Sequence, residues 1–121
     1  MKIAGKTDIG MVRETNQDAF RIAVLADGIG FALVCDGMGG VKGGDEASAS
    51  AKRIITSIVR EGVKEDMTDD ELHDLLLRAI YEANRYIYTH SQQNPGLTGM
   101  GTTALAAIIT PKCAYIGHVG D

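Results

Sequence analysis

The sequence has no tryptophan and contains only two prolines and two cysteines among its 121 residues. Its apolar runs are short as well, because the longest, at residues 104–109, is far below the roughly 20 residues needed to cross a bilayer. Basic residues are few, since 12 Lys and Arg against 16 Asp and Glu give a net charge of −4. These absences argue against a membrane-spanning segment, an N-terminal secretion signal and a general nucleic-acid or anionic-membrane surface.

The two cysteines lie far apart in the chain, at Cys35 and Cys113, without the spacing of a CxxC motif or a Cys/His metal site. We therefore predict reduced thiols in a cytoplasmic protein. With 45% hydrophobic residues, the chain is large enough to bury the core of one domain without such cross-links.

Two strand-like runs flank the turn dipeptide Asp27-Gly28, at residues 18–25 and 30–35, which predicts a β-hairpin. The second run is apolar almost throughout, so we expect both faces of that strand to be covered. Asp18 opens the first strand and Asp36 follows the second. Because the start of one antiparallel strand lies beside the end of its neighbour, we expect both carboxylates at one end of the sheet.

Apolar residues then recur every three or four positions, which predicts a helix from Asp45 to Gly62. A capping-box sequence at residues 68–71 predicts the start of a second helix, which ends near residues 94–96. Strands at residues 102–110 and 113–119 follow, joined by a Pro111-Lys112 turn. This order favours an α+β fold with antiparallel hairpins rather than a parallel βαβ array.

Asp36 is the first candidate for chemistry, because a carboxylate at the end of a covered strand needs a partner for its charge. A divalent cation would supply that charge, with the Gly37 carbonyl as a neighbouring oxygen ligand. Asp18 at the same sheet end makes a shared metal site more plausible, and Arg13 has the fork geometry that suits a phosphoryl group. The alternatives remain a solvated Asp-Gly turn and an ordinary surface arginine.

The glycine cluster at residues 37–44 allows two interpretations. A phosphate cradle for a nucleotide-binding module is disfavoured, because the cluster lacks the Lys-Ser/Thr ending of a P-loop. Acidic residues at the predicted helix start, Asp45 and Glu46, would also repel an anion. A tight loop around a metal is therefore the favoured interpretation.

Four motifs occur in one order along the chain: TDIGMVRETNQD at residues 7–18, VCDGMGG at 34–40, GMGTT at 99–103 and GHVGD at 117–121. Together they resemble the metal-dependent serine/threonine phosphatases of the protein phosphatase 2C family, most of all its compact bacterial members. The resemblance implies a four-layer α-β-β-α sandwich, in which two antiparallel sheets are flanked by helices. Residues 1–121 would form a single partial domain, the N-terminal half of the family's catalytic domain.

The resemblance also assigns roles to individual residues. Asp36 would bridge two Mn²⁺ or Mg²⁺ ions, and Gly37 would give its carbonyl oxygen to one of them. Asp18 would hold waters of the metal cluster, and Asp121 would bind a third, weaker ion. Arg13 would hold the substrate phosphate. Arg13 and Asp36 would be the catalytic residues.

The implied function is hydrolysis of phosphoserine and phosphothreonine in proteins by a metal-activated water, in the cytoplasm and opposite a cognate kinase. Neither nucleic acid nor membrane is expected as a partner. Met38 replaces a histidine of many eukaryotic members, so water would protonate the leaving group. Because two further ligand aspartates of the family lie beyond Asp121, this chain is predicted to be an inactive portion. The alternative is a non-catalytic metal-binding or interaction fragment that self-associates through open sheet edges.

Overall fold

The computed structural model describes residues 18–26, 28–38, 40–64, 66–97 and 99–119. It confirms the α+β class and the predicted order of strands, two helices and strands. The elements are the strands β1 (Asp18–Ala26) and β2 (Ile29–Met38), the helices α1 (Gly40–Gly62) and α2 (Asp69–Gln93), a short 3₁₀ helix (Pro95–Leu97), and the strands β3 (Gly101–Ile109) and β4 (Ala114–Val119).

The strands form one antiparallel sheet in the order β1-β2-β3-β4. β1 and β2 form the predicted hairpin, with Gly28 in its turn at a φ of +76°. β3 and β4 form a second hairpin, closed by the Thr110 amide, which donates to the Cys113 carbonyl at 2.8 Å. A second sheet is not among the described elements, so the four-layer arrangement stays a prediction.

Both helices pack on the same face of this sheet. α1 lies on β1, β2 and β3, while α2 lies on β3 and β4 and also contacts α1. Alternate residues of β2 (Phe31, Leu33 and Cys35) point into the core that results, because side chains of a strand alternate between the two faces. We call this side of the sheet the helix face.

The opposite side, which we call the open face, contradicts the prediction that both faces of β2 are covered. Val34 is 54% exposed, although it lies within the apolar run between Leu33 and Cys35. Its register partner Leu105 is 48% exposed, and Ile116 on β4 is 63% exposed. The reason is that no described element packs on this side, since both helices lie on the other.

The junction of β2 and α1 also differs from the prediction. β2 continues past Cys35 to Met38, and α1 begins at Gly40 instead of Asp45. Residues 40–44 are therefore the first helical turn, not a loop around a metal. The first turn holds no acidic residue, so the predicted repulsion of anions by Asp45 and Glu46 at the helix start is also wrong.

Glycine makes this early helix start possible by allowing close approach. A Cβ at Gly43 would lie only 3.0 Å from the Cβ of Met100, which precedes β3. The start of α1 is thus pressed against the start of β3, next to the sheet end that carries Asp36.

The other helix boundaries follow the predictions. α1 ends at Gly62. At the start of α2, the Thr68 amide donates to the Glu71 carboxylate at 3.0 Å and the Glu71 amide donates to the Thr68 hydroxyl at 3.2 Å. These two bonds are a capping box, which satisfies amides that have no partner within the helix. Neither helix in the described part of the chain is apolar enough over a sufficient length to span a membrane.

Candidate metal site at one end of the sheet

The sheet register brings Asp18 and Asp36 together, as the sequence predicts. Asp18 on β1 is the direct partner of Asp36 on β2, and Asp36 is in turn the partner of Thr103 on β3. Residues directly opposite each other in an antiparallel pair have Cβ atoms about 4.5–5.5 Å apart. The backbone therefore places two aspartate positions side by side at one sheet end.

Asp36 itself is exposed, because it lies on the open face of β2. It lies within the strand, two positions before Met38, so the prediction of a buried carboxylate at a strand end is wrong. Gly37 is the next residue and is buried on the helix face, opposite Thr102. An exposed carboxylate can be reached by a hydrated cation, which a fully enclosed one could not be.

Two threonines belong to this sheet end, and sequence reasoning gave them no role. Thr102 is the partner of Gly37, and its hydroxyl donates to the Thr103 carbonyl at 2.8 Å. Both were part of the GMGTT motif, but only the strand register shows that they flank Asp36 and Gly37. A pairing between residues so distant in sequence has no local signature.

Cys35, the neighbour of Asp36, is a structural thiol. It is fully buried on the helix face, and this burial raises its pKa to about 12, although the nearby positive charge of Lys52 acts in the opposite direction. A thiol with so high a pKa is unreactive at neutral pH. Both cysteines are free, with Cys113 exposed, as predicted for reduced thiols.

Other predicted site residues lie outside the described residues. Arg13 and Asp121 belong to this group, and Asp18 is described only through its backbone. Within the described ranges, no three His, Cys, Asp or Glu side chains come close enough together to hold a metal ion. The structure thus brings two of the predicted metal ligands together and leaves the others as predictions.

A cleft of about 370 Å³ lies between the two helices and the β3–β4 part of the sheet, and it extends to Thr102. Its lining is largely apolar and includes Ile87, Met100 and Ala104, with Ser91 and Gln92 as polar members. Of the predicted site residues that the structure describes, none lines this cleft. The described residues that line it include no acidic, basic or histidine side chain, so they offer no group suited to a metal or to phosphoryl chemistry.

An antiparallel sheet backed by two helices, with aspartates paired across its first hairpin, agrees with the family comparison. The family described as protein phosphatase 2C matches residues 11–121. The chain belongs to the protein phosphatase 2C family.

Individual relatives are bacterial phosphatases. The chain is 38% identical to a putative protein phosphatase 2C-type of Streptococcus pyogenes, an alignment that covers 100% of the chain and 48% of the relative. It is 35% identical to the serine/threonine phosphatase stp of Listeria monocytogenes, covering 96% of the chain and 46% of that protein. The chain therefore spans about half the length of the curated relatives it matches.

Solved structures show the same relation. The serine/threonine phosphatase of S. agalactiae superposes with a TM-score of 0.83 at 33% identity, over 96% of this chain and 47% of that one. The phosphatase PstP/Ppp of Mycobacterium tuberculosis superposes with a TM-score of 0.75 at 27% identity, over 96% and 45% of the two chains. The fold of the described residues is thus that of the corresponding part of these phosphatases.

Proposed function

We propose that this chain is part of a metal-dependent protein phosphatase that hydrolyses phosphoserine and phosphothreonine. The observation that carries the proposal is the register pairing of Asp18 with Asp36 at the sheet end next to Gly37. Membership of the protein phosphatase 2C family, whose members generally depend on metals, and the printed names of its relatives support the same conclusion.

The described residues fit a hard divalent cation. Asp36 offers exposed carboxylate oxygens, and the adjacent Gly37 adds a carbonyl, which are the donors that Mg²⁺ and Mn²⁺ take. Asp18 and Asp36 occupy directly opposite positions on adjacent strands, and a bound cation would balance the negative charge of two carboxylates at one sheet end. We infer that Asp36, the Gly37 carbonyl and Asp18 belong to a site for two ions, and that Asp121 holds a third.

When bound, Mn²⁺ or Mg²⁺ would supply a water of lowered pKa for in-line attack on phosphorus. Arg13 would hold the substrate phosphate, because its guanidinium can donate two parallel hydrogen bonds to phosphate oxygens. Asp36 would fix the position of the attacking water relative to that phosphate. Met38 has no proton to donate, so the leaving alkoxide would take its proton from solvent.

The experiment is steady-state hydrolysis of p-nitrophenyl phosphate and a phosphothreonine peptide at saturating Mn²⁺, in a protein that carries the rest of the family domain. Asp36→Ala should abolish turnover, because this carboxylate would be a ligand of the ions that supply the attacking water. Arg13→Ala should mainly raise KM, and Met38→Ala should change turnover little. Near-normal turnover of Asp36→Ala would contradict the site, and a thousandfold loss in Met38→Ala with intact metal binding would contradict the role of solvent.

For residues 1–121 alone we propose weak metal binding and no measurable phosphatase activity. Asp36, Gly37 and Asp18 give too few oxygens for two ions that each take about six ligands, so affinities should be roughly millimolar. Isothermal titration calorimetry with Mn²⁺ and a phosphate-release assay test this. Micromolar binding of two ions together with turnover would show that these residues carry a complete site.

A second candidate function, a self-associating fragment without catalysis, is favoured by the open face. Val34, Leu105 and Ile116 are exposed there on three adjacent strands, and the outer strands β1 and β4 have unpaired edges within the described sheet. Apolar patches and free strand edges both promote association.

Light scattering should show dimers or larger species, and the double variant Val34→Lys with Ile116→Lys should convert them to monomers. A monomer at all concentrations would reject this function. The cytoplasmic location and the cognate kinase stay predictions.

A further inference from the structure

The helix face carries a group of basic residues at its β1 edge, away from Asp36. A groove of about 270 Å³ lies there between β1 and α1. The groove is lined by Arg21, Lys52, Arg53, Thr56, Ser57, Arg60 and Glu61. Four of the 12 Lys and Arg residues of a chain with net charge −4 therefore line one small groove, where the described lining residues include one carboxylate, Glu61.

The sequence builds this groove from two neighbouring stripes of α1. The first stripe consists of Lys52, Thr56 and Arg60, which are spaced by four residues. The second stripe consists of the next residue after each of these, namely Arg53, Ser57 and Glu61. Residues four apart lie on one side of a helix, so each stripe runs along one side of α1. The two stripes are neighbours on the helix surface, and both line the groove. Arg21 approaches from β1, where its register partner Leu33 places it on the helix face.

Two polar atoms in the groove are buried without a hydrogen-bond partner: Nε of Arg21 and the hydroxyl oxygen of Thr56. Burying a donor without an acceptor costs free energy, and such atoms usually indicate an unseen water, ion or ligand. The basic residues also lack carboxylate partners, since none of the groove cations forms an ion pair with another described residue. Arg53 contacts the ring of Tyr86, whose centroid lies 5.4 Å from the guanidinium carbon.

We propose that this groove binds a phosphate-class oxyanion at a site separate from Asp36. A tetrahedral oxyanion has several acceptor oxygens, so it can accept from more than one of the cationic side chains that line the groove, such as Lys52 and Arg60. A single carboxylate has only two oxygens for these donors. A long polyanion such as nucleic acid is disfavoured, because it would extend beyond the groove and be repelled by a protein with a net charge of −4.

The groove is distinct from the candidate metal site. Arg21 follows Asp18 by three residues along β1, which is roughly 10 Å at about 3.3 Å per residue. Asp36 lies on the open face, whereas the groove lies on the helix face. The anion could be free phosphate or a phosphoryl group on a protein, and only the latter source rests on the proposed function.

The first test is titration of the 121-residue chain with inorganic phosphate in EDTA, by calorimetry and by amide chemical shifts, at constant ionic strength. We expect saturable binding with shifts at residues 52–60. Lys52→Gln with Arg60→Gln should weaken it roughly tenfold or more, because two charged donors are lost. Arg78→Gln, an exposed arginine of α2 outside the groove, is the matched control and should leave the affinity unchanged. Circular dichroism verifies that each variant is folded.

Absence of saturable binding, unchanged affinity in the double variant or an equal loss in Arg78→Gln would overturn the proposal. Asp36→Asn separates the two sites, since it removes the candidate metal ligand and should leave the affinity for phosphate unchanged. Loss of phosphate binding in Asp36→Asn would instead place the anion at the sheet end and also overturn the groove. A phosphothreonine peptide that binds more tightly than phosphate and than its unphosphorylated form would identify a phosphoprotein as the source. Equal affinity of peptide and phosphate would identify the free anion.

Discussion

The two faces of the sheet differ in how far their apolar side chains are buried. On the helix face of β2, Phe31 and Leu33 are almost fully buried, whereas Val34 between Leu33 and Cys35 is about half exposed. All of these residues are apolar and belong to one strand. The difference shows that an apolar run specifies a strand but does not specify how many layers cover it.

The candidate sites divide between these faces as well. Asp36, the proposed metal ligand, lies on the open face, and the basic groove of Arg21 and α1 lies on the helix face. The groove is formed by β1 and α1. The metal site needs further ligands, which the described residues do not supply.

The largest expected contrast concerns thiol reactivity. Cys113 is exposed, while Cys35 is buried on the helix face with its pKa raised to about 12. Cys113 should react with a disulfide reagent at least about a thousandfold faster, because Cys35 reacts only when the core opens. Because the folded pKa lies above the unfolded one, the stability due to the neutral Cys35 thiol is complete below pH 9.0 and is lost as the pH rises toward 12. Timed labelling of native protein and of Cys113→Ser measures both rates, and equal rates would contradict the covered face.

The next prediction compares truncations on the two faces of β2. Phe31→Ala should lower the free energy of unfolding by about 3–5 kcal/mol, because it leaves a cavity in the core. Val34→Ala should cost less than about 1 kcal/mol, since most of the removed surface is already in water. Urea unfolding at several protein concentrations separates this effect from association. A cost in Val34→Ala that matches Phe31→Ala would show that the open face is covered in solution.

The first hairpin turn should be sensitive to substitution of its glycine. Gly28 has a φ of +76°, and a Cβ there would lie 3.2 Å from Cγ of Pro111 in the second hairpin turn. Gly28→Ala should therefore destabilise by about 1–2 kcal/mol. Gly96→Ala is the control, because that glycine has an ordinary φ and no neighbouring atom within 4 Å of an added Cβ. Equal unfolding midpoints of the two variants would reject the strained turn.

The smallest predicted effect concerns the helix that covers β3 and β4. Thr68→Ala should cost about 1 kcal/mol, because it removes the side chain that caps α2. Thr89→Ala, at an exposed position within α2, should not destabilise. The hydrogen bond from the Thr68 amide holds the pKa of Glu71 below 4.5. The stability that the ionised Glu71 carboxylate adds to the capping box is therefore present above pH 4.5, and it declines as the pH falls through the lower pKa of the folded state. Thermal melts from pH 3 to 7 measure it, and a Thr89→Ala loss equal to that of Thr68→Ala would contradict the cap.

Much of the fold could be predicted from the sequence, because those features are local. The capping box at Thr68, the stop at Gly62 and the hairpin turn at Gly28 each depend on residues within one turn of chain. That Asp18 and Asp36 lie at one sheet end was also predictable, because adjacent antiparallel strands run start beside end. Their direct pairing was not, since it depends on a β-bulge between Val24 and Ala26 that shifts the register.

Only the tertiary structure decided which apolar residues are buried and which polar groups meet. Val34 is exposed because both helices pack on the other face, and nothing in its immediate sequence distinguishes it from Leu33. The start of α1 at Gly40 depends on close packing with Met100, which lies far along the chain. The basic groove joins Arg21 to α1 across the edge of the sheet. Burial and long-range contact are properties of the packed layers, so local sequence determines the elements while their packing determines what each face can bind.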